Sequence, residues 1–270
     1  MFMINVTDMF KLDGKVAVVT GGARTLGFNM AFALAQAGAD LAITSRHRQD
    51  CEEAAEKIRE MTGKRVLPLT LDGRKEEEVE NMVDAVLKEY NKIDILVNNA
   101  GNVTSTPKNA PFEVRPLEEW QMTIDVNLTG AFLCAKHVVY KAMKPAKSGN
   151  IINLGSVAGI TGKDRRVYEG TDIGGSTLDY HAAKAGIINM TRDMAVYLAP
   201  SGIRVNCLSP GVFFRNQDQK FVDSYSEHIP MGRFGIEEKE LGGAVVYLAS
   251  EASSYVTGHN LVVDGGMTVW

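Results

Sequence analysis

Short apolar, β-branched runs alternate along the chain with longer helical stretches, and this alternation predicts most of the fold. Residues 15–20 (KVAVVT) read as a strand, ending in Gly21 and Gly22. A helix rich in alanine follows over 28–37, stops at Gly38, and leads to a second strand over 40–44. Strand, glycine turn, helix and strand within about thirty residues form the βαβ unit that sets a dinucleotide pyrophosphate at a helix N-terminus. The rhythm continues with helices over 49–61 and 75–90, each followed by a strand, at 65–71 and 93–98. A long helix over 116–143 precedes a strand at 150–154. Helix 179–199, strand 204–208, helix 237–249 and strand 261–263 complete the series. Repeated βα units predict an α/β fold with a doubly wound parallel sheet and helices on both faces.

Two segments break the rhythm, both after a strand, on the side where α/β sheets bind ligands. One spans 160–178 and is rich in Gly, Asp, Arg and Thr. The other, 210–233, carries Phe213, Phe214, Phe221 and Tyr225, which either line a pocket or pack a lid helix on the core. No linker, repeat or low-complexity stretch divides the chain, so residues 1–270 read as one domain. They include an inserted loop at 160–178 and a lid segment at 212–233.

Composition narrows the function by exclusion. A formal charge of -4 and the lack of a basic block argue against a nucleic-acid partner. No stretch approaches the ~20 apolar residues of a membrane span, and the start MFMINVTDMFKLDGK has no leader pattern. Cys51, Cys134 and Cys207 are scattered, as in a reduced, cytoplasmic protein. His47, His137, His181, His228 and His259 form no spaced ligand set, so no catalytic metal is expected. Met190, Met194 and Tyr197 at helical spacing read as core or subunit interface.

Ser156, Tyr180 and Lys184 are the candidates for chemistry. Tyr180 and Lys184 are four apart, so a helix projects both from one face. Ser156 follows the strand ending at Leu154, where the sheet presents residues to ligand. A phenol beside an ammonium is a proton donor, because a nearby positive charge favours the phenolate. The bland reading of a Tyr and a Lys at this spacing is a solvated surface pair.

Further motifs weigh against that reading, because with the trio they resemble the short-chain dehydrogenase/reductase family from about Leu12 to Gly266. Thr20-Gly21-x-x-x-Thr25-x-Gly27 corresponds to its glycine-rich cofactor turn, which also holds Arg24 and Leu26. Asp72 matches the acid that meets adenine, and Asn98-Asn99-Ala100-Gly101 the signature after the fourth strand. Asn127 matches the helix-borne Asn of a water-linked proton relay, and Ser156, Tyr180 and Lys184 the catalytic trio. Pro210-Gly211, with Val212 beyond, matches the turn that cradles nicotinamide, and Val263-Asp264-Gly265-Gly266 the C-terminal signature. The resemblance implies a Rossmann fold and a reaction between a secondary alcohol and a ketone. Tyr180 would be the general acid or base. Lys184 would lower its pKa and hold the nicotinamide ribose, and Ser156 would hold the substrate oxygen.

Three departures qualify the match. Thr25 stands where the family's middle glycine sits; its hydroxyl either donates to phosphate or ribose or is a tolerated small residue. Ser156 and Tyr180 are 24 residues apart, a wider gap than the family usually has. The intervening Lys163, Asp164, Arg165, Arg166, Tyr168 and Glu169 suit a hydroxylated or acidic substrate, but equally a solvated loop or subunit contact. Arg215 falls roughly where many members carry a Thr near the nicotinamide amide, and nothing firm follows from it.

The second strand ends in Ser45-Arg46, with no acid to take ribose hydroxyls. Arg46, with Arg24 and Arg48 nearby, suits a 2′-phosphate, so NADP(H) is expected over NAD(H); the bland reading is a solvated helix start. The opening FKLDGKVAVVTGG, the TSR run and the aromatic C-terminus resemble the gluconate 5-dehydrogenase-like branch, which implies a sugar, polyol or sugar acid. The rivals are a 3-oxoacyl thioester reductase and a non-catalytic nucleotide-binding scaffold. Helices 116–143 and 179–199 resemble those through which family members associate, implying a homotetramer.

Overall fold

The sheet expected from the strand pattern is present, with all seven strands parallel in the order β3-β2-β1-β4-β5-β6-β7. The computed structural model describes residues 5–101, 112–171 and 173–270. The first four residues of the N-terminal start and Asp172 of the inserted loop lie outside the described residues. The strands are β1 (Val16–Val19), β2 (Asp40–Ser45), β3 (Val66–Thr70), β4 (Ile95–Asn98), β5 (Gly149–Leu154), β6 (Ile203–Pro210) and β7 (Asn260–Val263). The order reverses between β1 and β4, the switch point at which open α/β sheets bind ligands.

Helices α1 (Thr25–Gln36), α2 (Arg48–Thr62) and α3 (Glu76–Tyr90) link the first four strands. The long helix predicted over 116–143 is a chain of segments: α4 (Leu117–Ile124), α5 (Gly130–Val138) and α6 (Lys144–Ala146), joined by π-helical turns at Asp125–Thr129 and Val139–Met143. Then come α7 (Leu178–Leu198), α8 (Gln219–Ser226) and α9 (Gly242–Ala249). Alternation along β1 explains the two cores. Ala17 and Val19 pack with Met30, Leu34 and Leu248 on one face, while Val16 and Val18 pack with Val79, Val86 and Val138 on the other. Both faces being covered is why the strands read as continuous apolar runs.

Two element expectations need correction. The helix expected over 237–249 begins only at Gly242, because residues 236–241 form turns closed on the Ile236 carbonyl. Those turns send Glu237 to Arg215 and Glu240 to Arg233. The helix expected from Phe28 begins at Thr25, directly out of the glycine turn. Within 212–233 the aromatic residues build a small separate core, in which Phe221, Tyr225, Ile229 and Phe234 pack with Val167, Tyr168 and Ile173 of the inserted loop. Met194 packs on the second core and Met190 on a minor cluster, while Tyr197 is exposed.

Candidate active site

A cleft of about 550 Å³ opens at the C-terminal ends of the strands. Most of the residues singled out from sequence line it: Gly21, Arg24, Thr25, Leu26, Ser45, Arg46, Asp72, Asn99, Ala100, Gly101, Asn127, Tyr180, Lys184 and Pro210. Gly27, Ser156, Gly211 and Val212 are not part of its wall. Gly27 lies beneath the turn, where an added Cβ would sit 2.2 Å from the Gly21 carbonyl oxygen and 2.4 Å from Asn99 Nδ2. Gly211 lies against Asp264, and Val212 packs on the aromatic cluster.

The glycine turn is held from β4. Thr20 Oγ1 accepts from the Asn99 and Ala100 N–H groups at 3.0 Å each, and Asn99 Nδ2 donates to the carbonyls of Thr20 and Gly21. The Asn99 side chain therefore shapes the turn rather than offering itself to a ligand. Gly21 takes a positive φ of 64° there. Thr25 has a φ of 47°, in the left-handed region that a β-branched residue rarely enters, so the glycine usual at this position answers a backbone demand. No side chain caps the N-terminus of α1, which leaves its first N–H groups to a ligand.

At the end of the cleft beside β2, the wall holds Ser45, Arg46, Arg24 and Asp50. Arg24 is paired with Asp50 at 2.6 Å, a partner the sequence reading missed because an acid in a helix's first turn is commonplace. Asp72 is clasped by its neighbour Arg74, at 2.6 Å, and that pairing holds the Asp72 carboxyl below its ordinary range.

The chemical residues converge between β5 and α7. Lys184, on α7, is buried and donates to the Leu154 carbonyl at 2.8 Å. Ser156 follows β5, accepts from Ala158 N at 3.1 Å, and has its hydroxyl beside the Tyr180 phenol. Asn127 lies in the first π turn, with Nδ2 donating to the Thr123 carbonyl at 2.9 Å. A Cβ added at Gly101 would lie 2.8 Å from Asn127 Oδ1 and 3.7 Å from Lys184 Nζ, so both side chains meet at that glycine. π turns are common at functional sites because they turn one side chain out of helical register.

The electrostatics differ from the sequence expectation. Burial draws the Lys184 ammonium down to about 8, and its Nζ stands 5.6 Å from the Tyr180 ring centroid. Burial raises the Tyr180 phenol above its ordinary value, against smaller lowering effects from Ser156 and from the charge of Arg215. Low polarity around the pair outweighs attraction and shifts both groups toward their neutral forms.

Asp179, fully buried and immediately before Tyr180, was also missed. Burial works to raise its carboxyl, but the neighbouring hydroxyls of Thr123 and Thr177 and the Arg115 guanidinium overcome it and hold the group below its ordinary value. Its ion pair with Arg115 spans 2.8 Å and ties the start of α7 to the residues that lead into α4.

This geometry joins a nucleotide cradle to a hydroxyl, phenol and ammonium set, and comparison with known proteins identifies the group that shares it. A family model described as Enoyl-(Acyl carrier protein) reductase matches residues 21–268. A short-chain type dehydrogenase/reductase from Mycobacterium marinum superposes with a TM-score of 0.87 and 36% identity, covering 99% of this chain and 100% of that one. The chain belongs to the short-chain dehydrogenase/reductase family. Within it, the chain is similar to 3-oxoacyl-(acyl-carrier-protein) reductase of Chlamydia trachomatis, 36% identical over 260 residues, 95% of this chain and 98% of that protein. It is also similar to a gluconate 5-dehydrogenase from Burkholderia cenocepacia in complex with NADP and tartrate, with 32% identity, a TM-score of 0.87, and 98% and 100% of the two chains covered. This short-chain dehydrogenase/reductase is thus an oxidoreductase whose relatives act on more than one substrate class.

Proposed function

We propose that the protein is an NADP(H)-preferring oxidoreductase that interconverts a secondary alcohol and a ketone on a sugar, polyol or sugar acid. The observation that carries this reading is that Tyr180 and Lys184 line the same cleft as the glycine turn, with the Ser156 hydroxyl beside the Tyr180 phenol. The residues fit a dinucleotide: the turn has no room for a Cβ at Gly27, α1 is uncapped, and Ser45-Arg46 carries no acid. Arg46 suits a 2′-phosphate, and Arg24, steadied by Asp50, lines the same end.

A bound nicotinamide supplies or takes the hydride; the chain supplies position and protons. Ser156 holds the substrate oxygen, and Tyr180 donates a proton to it in reduction or removes one in oxidation. Burial keeps the Tyr180 phenol protonated near neutral pH, which is the form that donates in reduction, while making it a weaker acid than an exposed tyrosine. Lys184 can carry a proton onward, since burial has brought it to about 8. Asn127, turned inward by the π turn, stands at the end of that path.

The sugar reading is supported by similarity to the gluconate 5-dehydrogenase and by the polar residues around Tyr180. A second reading, reduction of a 3-oxoacyl thioester, has equal support from the 3-oxoacyl-(acyl-carrier-protein) reductase relative. The apolar residues Leu117, Met122, Phe132, Tyr140, Leu178 and Tyr197, exposed on α4, α5, α7 and the turn between, support association as a homotetramer. A panel of sugars, polyols, sugar acids and 3-oxoacyl thioesters, run with both cofactors, tests the reading. Turnover confined to thioesters would favour the second reading, and failure of every ketone to oxidise NADPH would leave the non-catalytic scaffold.

A further inference from the structure

Arg215 has no part in the mechanism above, yet its backbone is held in place on every side. Phe213 bridges Gly235, with Gly235 N donating to the Val212 carbonyl and Phe214 N to the Gly235 carbonyl, at 3.0 Å each. That bridge buries Phe213 and fixes where the chain leaves it. Gln217 then clasps the turn from both ends: its Oε1 accepts from Arg215 N at 2.6 Å, and its Nε2 donates to the Phe213 carbonyl at 2.9 Å. Asn216 between them takes a left-handed φ of 58°, which Asn tolerates better than most residues. Such a turn orients the side chain rather than leaving it to wander.

The guanidinium is oriented too. Its Nε donates to Glu237, a mostly buried carboxylate placed by the same Gly235 bridge. Among the described residues the two terminal nitrogens have no partner, and Arg215 lines the cleft together with Tyr180 and Lys184. A guanidinium held along its Nε edge presents its other edge as a planar fork, the geometry that accepts a carboxylate bidentately. The position relative to Tyr180 limits what the anion can belong to. Arg215 and Tyr180 line the same cleft, so an anion on the fork belongs to a molecule held in the same space as the reacting carbon. The phosphate of a thioester's carrier arm lies much further from its ketone.

We infer that Arg215, braced by Glu237, selects the substrate by binding a carboxylate a few bonds from the carbon that Tyr180 serves, which makes the preferred substrate an oxo acid and its hydroxy acid product. This rests on the reading of Tyr180 as the reacting centre and narrows the sugar class to its acids. It also gives the position a job unlike that of a small hydroxyl residue beside the nicotinamide amide.

The test uses a matched pair. 5-Keto-D-gluconate and L-sorbose differ only in a carboxylate replacing a terminal hydroxymethyl group. Steady-state reduction of each by NADPH is measured for the wild type, Arg215→Gln and Arg215→Lys. The wild type is expected to favour the acid, and Arg215→Gln to lower the acid-to-ketose ratio of kcat/KM by about 10- to 100-fold, the loss falling on KM, with Arg215→Lys intermediate. An unchanged ratio in Arg215→Gln overturns the inference. Fluorescence titration with NADPH separates the alternative that Arg215 binds cofactor: a matching loss of NADPH affinity in Arg215→Gln also overturns it. A second arm needs no turnover. D-gluconate is titrated calorimetrically into the NADP+-loaded wild type and Arg215→Gln. Binding that is lost only in the variant supports the inference, and equal binding contradicts it. If the wild type binds gluconate through Arg215 but reduces neither ketone, the reading of Tyr180 fails while the carboxylate site stands.

Discussion

On the β1 side of the cleft, a methyl group added at Gly27 would lie 2.2 Å from a backbone oxygen. Beyond β6, Phe221, Tyr225, Phe234 and Tyr168 form a satellite core, with ring centroids 5.3 to 6.2 Å apart and mostly edge to face. The first region is shaped by backbone and by what must be absent from it. The second is shaped by bulk, and by long side chains such as Lys163, which donates to the Gly174 carbonyl at 2.5 Å and lies over the Tyr168 ring. A cradle of backbone suits a cofactor shared across a family. A satellite core joined by few strands can be rebuilt without disturbing the sheet, which suits a substrate that differs from member to member.

If the two regions are separable, damage to one should spare the other. Phe221 is buried in the aromatic cluster, and truncating such a ring costs about 3–5 kcal/mol in a core. Phe221→Ala is expected to loosen the 212–233 segment and the inserted loop packed on it, raise substrate KM severalfold to tens of fold, and leave NADPH affinity within about twofold. Fluorescence titration and steady-state kinetics check both halves. A parallel loss of cofactor affinity would show that the halves are one cooperative unit.

Lys184 sits where the regions meet, and its buried ammonium makes activity and stability pull in opposite directions. Its drop from 10.5 to about 8 corresponds to roughly 3 kcal/mol of disfavoured charge in the folded state. Because the folded pKa is depressed, that penalty is complete below pH 8 and fades as pH rises toward 10.5, where the unfolded lysine also loses its proton. Lys184→Met is therefore expected to lose about 10²- to 10⁴-fold in kcat. It should also unfold at higher denaturant than the wild type at pH 7, with the gain shrinking between pH 8 and pH 10.5. The unpaired Leu154 carbonyl offsets part of that gain. Denaturant melts at several pH values measure it; a variant less stable at pH 7 would mean that Lys184 packs the site more than burial penalises it.

The smallest effect belongs to the backbone side. Thr25 holds a φ of 47° that glycine adopts freely, so Thr25→Gly is expected to stabilise the fold by up to about 1 kcal/mol, seen as a rise in Tm. No change or a fall would mean that the Thr25 side chain makes up for its strained backbone.

The same contrast explains what was legible in the sequence. Every strand followed from short β-branched runs, and the cofactor turn from glycines whose spacing reflects contacts such as Gly27 against Gly21. The spacing of Tyr180 and Lys184 alone reads as a surface pair, and only the further motifs along the chain single it out with Ser156. What was not legible depends on packing between distant segments. The joining of Tyr168 to Phe221, the π turn that turns Asn127 inward, and the Arg115–Asp179 pair across 64 positions leave no local pattern. Charge effects were misjudged for the same reason: a lysine four residues from a tyrosine reads as an activating cation until burial is known. Arg215 carried no message alone, and gains one only from Glu237, which is 22 residues further on.

Tyr180→Phe tests the central claim most directly, since it removes one oxygen and leaves the ring, the cleft and the fold in place. Turnover of NADPH with the best ketone of the panel and the NADPH dissociation constant are measured on the same preparation. The account predicts a fall in kcat of at least about 10³-fold with cofactor affinity within about threefold of the wild type. Turnover within tenfold of the wild type would contradict Tyr180 as the proton donor and, with it, the reaction proposed for this cleft.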